Sequence, residues 1–166
     1  PEDATVECDE APDPILTGEP TGTDNCDMDL TFSFEDEGNP ISACELEILR
    51  TWTGADDCGN TATCVQKIII TDTTPPEINC PPDRTVECGE STDPADTGEP
   101  FAFDNCDPDL EITFEDETSQ SNDCETVITR TWIATDDCGN TRECVQTITI
   151  TDPNPPEINC PANTQV

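Results

Sequence analysis

The stretch at residues 51–64, TWTGADDCGNTATC, returns 80 residues later at residues 131–144 as TWIATDDCGNTREC. In each copy, segments rich in Val, Ile and Thr flank the acidic turn Asp-Asp-Cys-Gly-Asn; in the second copy they are residues 125–134 and 145–151. β-Branched and aromatic residues favour strands, whereas Asp, Gly and Asn favour turns. The sequence therefore predicts a long β-hairpin in each copy, closed by an acidic turn.

The cysteines follow the same period along the whole chain. Each of them recurs at a spacing of 80 residues, which gives the pairs Cys8/Cys88, Cys26/Cys106, Cys44/Cys124, Cys58/Cys138, Cys64/Cys144 and Cys80/Cys160. This regularity indicates one module of about 80 residues in tandem copies. We predict a first repeat at residues 1–74 that lacks the start of its first strand, a second at residues 75–154, and the start of a third at residues 155–166.

The remaining strands can be placed along the second copy. Residues 75–81 and 85–88 predict a split first strand, residues 101–104 a short one, and residues 110–115 a half-buried one that ends at the acidic run 115–117. Residues 91–100 and the polar stretch before Cys124 are predicted loops. About seven short strands in a module favour an immunoglobulin-like β-sandwich. We therefore expect an all-β fold of tandem immunoglobulin-like sandwiches, stapled by disulfides because each core is small, with a proline-stiffened linker between them.

The composition is strongly acidic. Asp and Glu total 39 against 5 Lys and Arg, and the formal net charge is -34. Such a charge repels nucleic acid and anionic membrane surfaces, so both are excluded as partners. Neighbouring repeats of the same chain, and other copies in a filament, are the partners we expect.

The cysteines indicate the compartment. An even cysteine count in small β modules is typical of secreted and cell-surface proteins, where disulfides persist. Zinc is the rival use of cysteine, but the chain has no histidine and no Cys-x-x-Cys pair. The missing histidine also argues against a hydrolase triad, and no enzyme activity is expected.

The acidic turns predict a Ca²⁺ site at one end of each module. The last strand runs toward the C-terminus, so the turn before it must lie at the N-terminal end, near the incoming linker. Oxygen ligands that converge there suit Ca²⁺, which takes about six to eight of them in irregular geometry. The simpler interpretation is that these residues cap turns and solvate the surface. The candidate ligands are Asp72, Asp104, Asn105, Asp107, Asp109, Asp136, Asp137 and Asn140, with Asp24, Asn25, Asp27, Asp29, Asp56, Asp57 and Asn60 in the first copy.

Strand order suggests how the cysteines pair. Cys106 and Cys138 lie in two turns at one end of the module and should bond. Cys80 begins the first strand and Cys144 the last, and these strands run parallel in this fold, so their starts lie within disulfide reach. A bond from Cys64 to Cys80 would instead have to span a strand and a linker that leads away. The expected bonds are Cys26–Cys58, Cys106–Cys138, Cys8–Cys44, Cys88–Cys124 and Cys80–Cys144, with the partners of Cys64 and Cys160 outside this sequence.

Two smaller groups of charges have structural interpretations. The runs Glu115–Asp116–Glu117 and, in the first copy, Glu35–Asp36–Glu37 are expected to be solvated strand ends, with a second cation site or a glycosidase-like carboxylate group as alternatives. Arg50 and Arg130 adjoin the tryptophans. Each is expected to lie over an indole face or to pair with an acid.

Three motifs carry a resemblance to a known family. Pro-Pro-Glu-Ile-Asn-Cys-Pro, Thr-Asp-Asn-Cys-Asp and Thr-Trp-x-x-x-Asp-Asp-Cys-Gly-Asn-Thr resemble the hyalin-repeat-like (HYR-like) modules of very large bacterial cell-surface adhesins and filament proteins. The resemblance covers both copies and implies an extracellular, immunoglobulin-like repeat in a long stalk or adhesin.

These observations lead to two expected functions. The first is a structural or adhesive repeat segment of a secreted cell-surface filament or giant adhesin, stiffened by disulfides and Ca²⁺. The alternative is a calcium-dependent module that binds a ligand such as a glycan.

Overall fold

Strands dominate both copies of the repeat. In this computed structural model, which describes residues 1–122 and 125–159, no helix is long and apolar enough to cross a membrane. The first copy contains β1 (Ala4–Glu7), α1 (Pro14–Thr17), β2 (Thr31–Pro40), β3 (Glu45–Ala55) and β4 (Thr61–Thr71). The second contains β5 (Glu77–Asn79), β6 (Arg84–Glu87), α2 (Pro94–Thr97), β7 (Phe101–Phe103), β8 (Glu111–Asn122), β9 (Glu125–Thr135) and β10 (Thr141–Thr151). The predicted fold class, all-β and sandwich-like with disulfides, is confirmed.

The two copies have the same sheet topology. Their four-stranded sheets have the orders β1-β4-β3-β2 and β6-β10-β9-β8, and β5 and β7 form a separate two-stranded sheet. The first and last strands of each large sheet pair in parallel, with Ala4 opposite Ile68 and Arg84 opposite Ile148. The registers differ by the 80-residue period, so the repeat in sequence is a repeat in strand pairing.

The chain divides into two compact units that do not follow the repeat period. The first unit contains Pro1–Glu77 together with Ala102–Ile112 and Ala134–Arg142, and the second begins with Ile78–Phe101 and Thr113–Ile133. The segments that carry the acidic turns of the second copy therefore belong to the first unit. The boundaries predicted after residues 74 and 154 stay predictions.

Each unit has a small apolar core on one face of its large sheet. In the first unit Val6, Ile48 and Ile68 are buried, and Val86, Ile128 and Ile148 are buried in the second. Burial alternates along the strands, because successive side chains point to opposite faces. A cluster of three buried apolar residues is small, so polar contacts and disulfides have to supply much of the stability.

A buried arginine extends each core. Arg50 donates two hydrogen bonds to Asp36, at 2.8 Å each, and lies 4.2 Å from the centroid of the Phe34 ring and 5.7 Å from that of Trp52. The equivalent Arg130 donates to Asp116 at 2.7 and 2.8 Å. The expectation that these arginines stack on a ring or pair with an acid is confirmed on both counts.

The same arginines correct the prediction of a strand end at the acidic runs. β8 continues through Glu115, Asp116 and Glu117 to Asn122, and β2 continues in the same way to Pro40. A mid-strand carboxylate is tolerated because Asp116 and Asp36 are each neutralised by the arginine on the adjacent strand. With its oxygens committed to that arginine, the Asp of each run is not free to act as a glycosidase carboxylate.

One further difference concerns residues 91–100, which were predicted to be loop. They contain the single-turn helix α2 (Pro94–Thr97), which is followed by Gly98 at its C-cap. Proline is compatible with the first turn of a helix, where its missing N–H would have no partner.

Candidate cation site and its disulfides

Three disulfides form among the described residues. Cys8 bonds to Cys106 and Cys44 to Cys138, with Cα–Cα distances of 6.0 and 5.2 Å, and all four residues lie in the first compact unit. Cys80 bonds to Cys144 in the second unit, with a Cα–Cα distance of 5.8 Å. The first two bonds each join a cysteine of the first copy to one of the second.

The pairing differs from most of the predicted scheme. The structure contains Cys80–Cys144 as expected, but Cys8–Cys44 and Cys106–Cys138 are replaced by the two bonds between copies. The cysteines of the acidic turns do lie at one end of their module, since the Asp137 N–H donates to Asp107 Oδ2 across the two turns at 2.8 Å. The predicted scheme paired cysteines only within a module. In the structure Cys8, just after β1, and Cys44, between β2 and β3, bond to the turn cysteines of the second copy.

The other predicted bonds have a different outcome. Cys26, Cys58, Cys64 and Cys88 are free and exposed, so the expected Cys26–Cys58 bond is also absent. Cys124 and Cys160 lie outside the described residues, so the predicted partner of Cys88 lies there too.

The acidic turns are built by carboxylates that accept backbone hydrogen bonds. Asp104 Oδ1 accepts from the N–H groups of Cys106 and Asp107 at 2.8 and 3.0 Å. Asp136 Oδ1 accepts from the N–H groups of Cys138 and Asn140 at 2.9 and 2.8 Å. Side chains of Asp and Asn form such turns because their short carbonyl groups mimic the backbone.

At the end of β4, Asp72 brings a third carboxylate to these turns. It is 8% exposed, and its Oδ1 accepts from the N–H of Thr74 at 3.2 Å. The side chain of Asn140 donates to the backbone carbonyl of Asp72 at 3.3 Å. A carboxylate oxygen of Asp72 and one of Asp136 lie within 4.8 Å of each other, and the sulfur of Cys138, which is bonded to Cys44, lies within the same distance of both.

Two carboxylate oxygens at this place have no hydrogen-bond partner. They are Oδ2 of Asp72 and Oδ2 of Asp104, both buried, and they are the only such side-chain atoms in the described part of the chain. Burial raises the pKa of Asp72, and the nearby carboxylates of Asp104, Asp136 and Glu7 raise the pKa further. A buried carboxylate oxygen without a donor or a cation is costly, and no ion pair among the described residues involves these two aspartates.

The predicted ligands of the second copy separate into two groups. Asp72 and Asp136 are buried and bring carboxylate oxygens within 4.8 Å of each other, and the half-buried Asp104 is near enough to raise the pKa of Asp72. The others serve the turns or face solvent: Asp107 accepts from Asp109 and Asp137, Asn105 donates to the sulfur atoms of Cys106 and Cys8, and Asn140 donates to Asp136 and Asp72.

The equivalent residues of the first copy behave as simple turn caps. Asp24 accepts from Cys26 and Asp27, Asp27 accepts from Asp29 and Asp57, and Asp56 accepts from Asn60, with no buried orphan oxygen among them. Hydrogen bonds from backbone N–H groups lower the pKa of Asp24, and those from Asn60 lower the pKa of Asp56. Asn25 is exposed. In this copy the geometry matches the simpler interpretation.

Glu7 was missed by the sequence reasoning. It lies opposite Thr71 in the parallel pair of β1 and β4, so it reaches the linker beside Asp72. It accepts from the N–H of Thr73 at 3.1 Å and from the hydroxyl of Thr73, and these bonds lower its pKa. The signal that could have found it is the parallel pairing of the first and last strands, which had been predicted.

Comparisons with known proteins identify the module. Residues 1–70 and 73–150 match the family described as "HYR-like domain with 4 cysteines". Hyalin from Lytechinus variegatus is 33% identical over 157 residues, covering 88% of this chain and 28% of that protein. Hyalin from Strongylocentrotus purpuratus is 32% identical over 168 residues, covering 94% of this chain and 13% of that protein. The chain thus spans only a minor part of the relatives it matches, and both relatives are from sea urchins rather than bacteria.

Solved structures give more distant likenesses. Drosophila N-cadherin EC1-4 matches 92% of this chain and 47% of its own, with 11% identity and a TM-score of 0.43. Protocadherin gamma C5 EC1-3 matches 89% and 65%, with 14% identity and a TM-score of 0.36. The fold class stands on the strands and disulfides of this chain itself.

Proposed function

We propose, because this chain belongs to the family of HYR-like domains with four cysteines, that it is a structural and adhesive repeat segment of a cell-surface filament or very large adhesin. Members of this family are extracellular, disulfide-bearing modules of the adhesion type, and this chain is extracellular. We further propose that Ca²⁺, held by Asp72, Asp104 and Asp136, stiffens the segment. The bacterial setting suggested by the motifs belongs to this proposal as well.

The disulfides support a role in mechanical continuity. Cys8–Cys106 and Cys44–Cys138 bridge sequence separations of 98 and 94 residues, and each spans the linker between the copies. A covalent bond across such a long loop restricts the unfolded chain and limits how far it extends under load. Neighbouring repeats of the same chain are thus the first partners of each module.

The observation that carries the cation proposal is the pair of buried, unpartnered oxygens on Asp72 and Asp104. None of the ion pairs among the described residues involves this cluster. The basic residues in those ion pairs are Arg50, Lys67 and Arg130, and they pair with Asp36, Glu47 and Asp116. Hard carboxylate oxygens in irregular geometry suit Ca²⁺ better than Mg²⁺, which demands a near-octahedral site. Ca²⁺ would supply the missing positive charge, and the backbone carbonyls and water would complete its shell.

The burial of this cluster distinguishes the two candidate functions. A glycan bound through Ca²⁺ needs coordination positions that face solvent. Asp72 is 8% exposed and Asp136 is 5% exposed, which favours a cation enclosed by protein and a stiffening role. The calcium-dependent binding module is therefore the second candidate.

The test is a thermal titration with matched variants. The melting temperature of the wild-type protein should rise with free Ca²⁺. At a hundredfold excess over Kd, binding at one site adds about 2.7 kcal/mol to the free energy of unfolding. D72N should remove this response, yet melt above wild type in metal-free buffer because an amide relieves the repulsion and the desolvation of the buried carboxylate. D152N is the matched control, since Asp152 occupies the same position in the second copy but is exposed.

The titration has two outcomes that would contradict the proposal. Wild-type protein that melts at one temperature with and without chelator has no stabilising site. Equal effects of D72N and D152N would mean that Ca²⁺ acts on the bulk charge of the chain rather than on the cluster. Isothermal titration of wild type and D72N gives the stoichiometry independently.

A further inference from the structure

We propose that the two disulfides of the first compact unit regulate the cation cluster of Asp72, Asp104 and Asp136. With both bonds formed, the three carboxylates are held in place for Ca²⁺. Reduction of the bonds by a small thiol frees the carboxylates from one another and lowers the affinity for Ca²⁺. This inference rests on the proposed function, because it concerns the regulation of the same Ca²⁺ site. The two bonds are Cys8–Cys106 and Cys44–Cys138.

The three carboxylates of the cluster come from three separate segments of the chain. Asp72 directly follows β4, whereas Asp104 and Asp136 belong to the two acidic turns of the second copy. Carboxylates on separate segments repel one another. The segments therefore need ties that hold them together before a cation is bound.

Strand pairing brings a cysteine to each side of Asp72. The last residue of β4, next to Asp72, lies opposite the last residue of β1 and opposite the first residue of β3. Cys8 comes directly after β1, and Cys44 comes directly before β3. The two strands that flank the end of β4 thus carry one cysteine each at the level of Asp72.

The first disulfide ties the turn of Asp104 to this strand end. Cys8 bonds to Cys106, and the N–H of Cys106 donates to Asp104 Oδ1 at 2.8 Å. The sulfur atoms of both cysteines lie within 4.8 Å of a carboxylate oxygen of Asp72. A short covalent path therefore links the two aspartates whose Oδ2 atoms are buried and have no hydrogen-bond partner.

The second disulfide ties the turn of Asp136 to the same strand end. Cys44 bonds to Cys138, and the N–H of Cys138 donates to Asp136 Oδ1 at 2.9 Å. A noncovalent tie between this turn and Asp72 is the hydrogen bond from the side chain of Asn140 to the Asp72 carbonyl, which is long at 3.3 Å. Reduction of either disulfide thus releases one carboxylate-bearing turn from its covalent tie to the end of β4.

A small thiol can reach both bonds. The four cysteines are half-buried and line one cleft of about 530 Å³ in the first compact unit, together with Asp72. Exchange with glutathione is balanced, because each disulfide takes up two electrons and two protons and becomes two thiols, while two glutathione molecules become one glutathione disulfide. The exchange passes through a mixed disulfide on one of the cysteines.

Regulation by reduction requires an equal effect in the other direction. The factor by which the oxidised chain binds Ca²⁺ more tightly than the reduced chain is also the factor by which Ca²⁺ favours the oxidised chain. Preorganisation gives the sign, because the reduced chain has to order the two turns when it binds the cation. We expect a factor of about ten for each bond, within the range typical of coupled sites.

The first experiment compares paired-cysteine variants of the full chain by isothermal titration with Ca²⁺. C8S/C106S and C44S/C138S should each raise Kd about tenfold. C80S/C144S is the matched control and should leave Kd unchanged, because its disulfide is also half-buried but lies in the second compact unit.

The second experiment uses the wild-type chain, so it does not depend on whether the variants fold. The chain is equilibrated in glutathione redox buffers with Ca²⁺ or with chelator, and differential alkylation with mass spectrometry gives the reduced fraction of each cysteine pair. Ca²⁺ should raise about tenfold the ratio [GSH]²/[GSSG] at which Cys8–Cys106 and Cys44–Cys138 are half reduced. The ratio for Cys80–Cys144 should not change, and D72N should abolish the effect of Ca²⁺ on all three pairs.

The possible failures have different meanings. A Kd that is equal in wild type and in the folded variants, or a redox midpoint that Ca²⁺ does not move in a chain that binds it, would overturn the inference and leave the Ca²⁺ site standing. A loss of affinity in C80S/C144S as large as in the other two variants would overturn it as well, because the effect would then be a general loss of stability. Wild type that binds no Ca²⁺ would instead overturn the proposed cation site, and this inference with it.

Discussion

At the scale of single residues, the chain places two of its few basic side chains where water does not reach. Arg50 and Arg130 are each 2% exposed, and each satisfies its guanidinium with a carboxylate, a threonine hydroxyl and a backbone carbonyl. A buried guanidinium is tolerable only when its donors are paired and its face is covered, here by Phe and Trp rings. A neighbouring glutamine satisfies the buried indole N–H: Gln146 accepts a hydrogen bond from Trp132 at 3.4 Å and donates to the backbone carbonyls of Pro82 and Thr97.

The first residue-scale prediction concerns Arg130. R130M should cost about 2 to 4 kcal/mol of unfolding free energy, because it leaves Asp116 unpaired on the sheet and removes the cation over Phe114. R142M is the matched control, since Arg142 is exposed on β10, and its loss should stay within about 0.5 kcal/mol. Urea unfolding measures both. Equal losses would show that Arg130 contributes only its net charge.

The sequence alone predicts the ring contact of Arg130 but does not identify the acid that pairs with it. Adjacency to tryptophan predicted the stacking of Arg130, but the acid that pairs with it lies 14 residues earlier in a run that looked like the end of a strand. Strand register decides which acid faces which base, and register cannot be read from one strand alone.

At the scale of elements, alternation and turn chemistry predicted most strands, and the exceptions have local causes. β8 runs past its acidic centre because Arg130 neutralises it from the adjacent strand. The helix α2 was missed because one turn of helix between loop residues has no 3.6-residue pattern to detect. Its end depends on Gly98, at φ +109°, whose N–H donates to the carbonyl of Pro94 at 2.8 Å.

The element-scale prediction compares two glycines. Gly98 and Gly139 both have positive φ, so alanine at either should cost about 1 to 2 kcal/mol in backbone strain. A Cβ at Gly98 would also lie 2.9 Å from Cβ of Pro81, whereas nothing lies within 4 Å of one at Gly139. G98A should therefore be less stable than G139A by about 1 kcal/mol or more in urea unfolding. Equal losses would mean that Pro81 moves aside freely.

At the scale of the whole molecule, charge and disulfides dominate. A net charge of -34 on 166 residues opposes compaction at low ionic strength. The tandem period and the extracellular setting could be predicted from sequence, but the partners of the cysteines could not. An 80-residue period is equally consistent with bonds within a copy and with bonds between adjacent copies. Only the three-dimensional positions of the cysteines distinguish the two pairings.

The whole-molecule prediction follows from screening. Raising NaCl from about 10 mM to about 150 mM shortens the Debye length from roughly 30 to 8 Å, so the melting temperature should rise. CaCl₂ at matched ionic strength should raise the melting temperature further if Ca²⁺ binds at the buried carboxylate cluster as proposed. Differential scanning calorimetry measures both. A melting temperature that falls with NaCl would show that repulsion among surface carboxylates is not limiting.

The two disulfides in the first compact unit also determine how the chain tolerates damage. Cys8–Cys106 and Cys44–Cys138 each join a residue before the linker at residues 72–76 to one after it. A protease that cuts this linker once therefore does not release either piece, since both remain covalently attached. Such a protein resists shedding by a single cut, and full release requires reduction as well as cleavage.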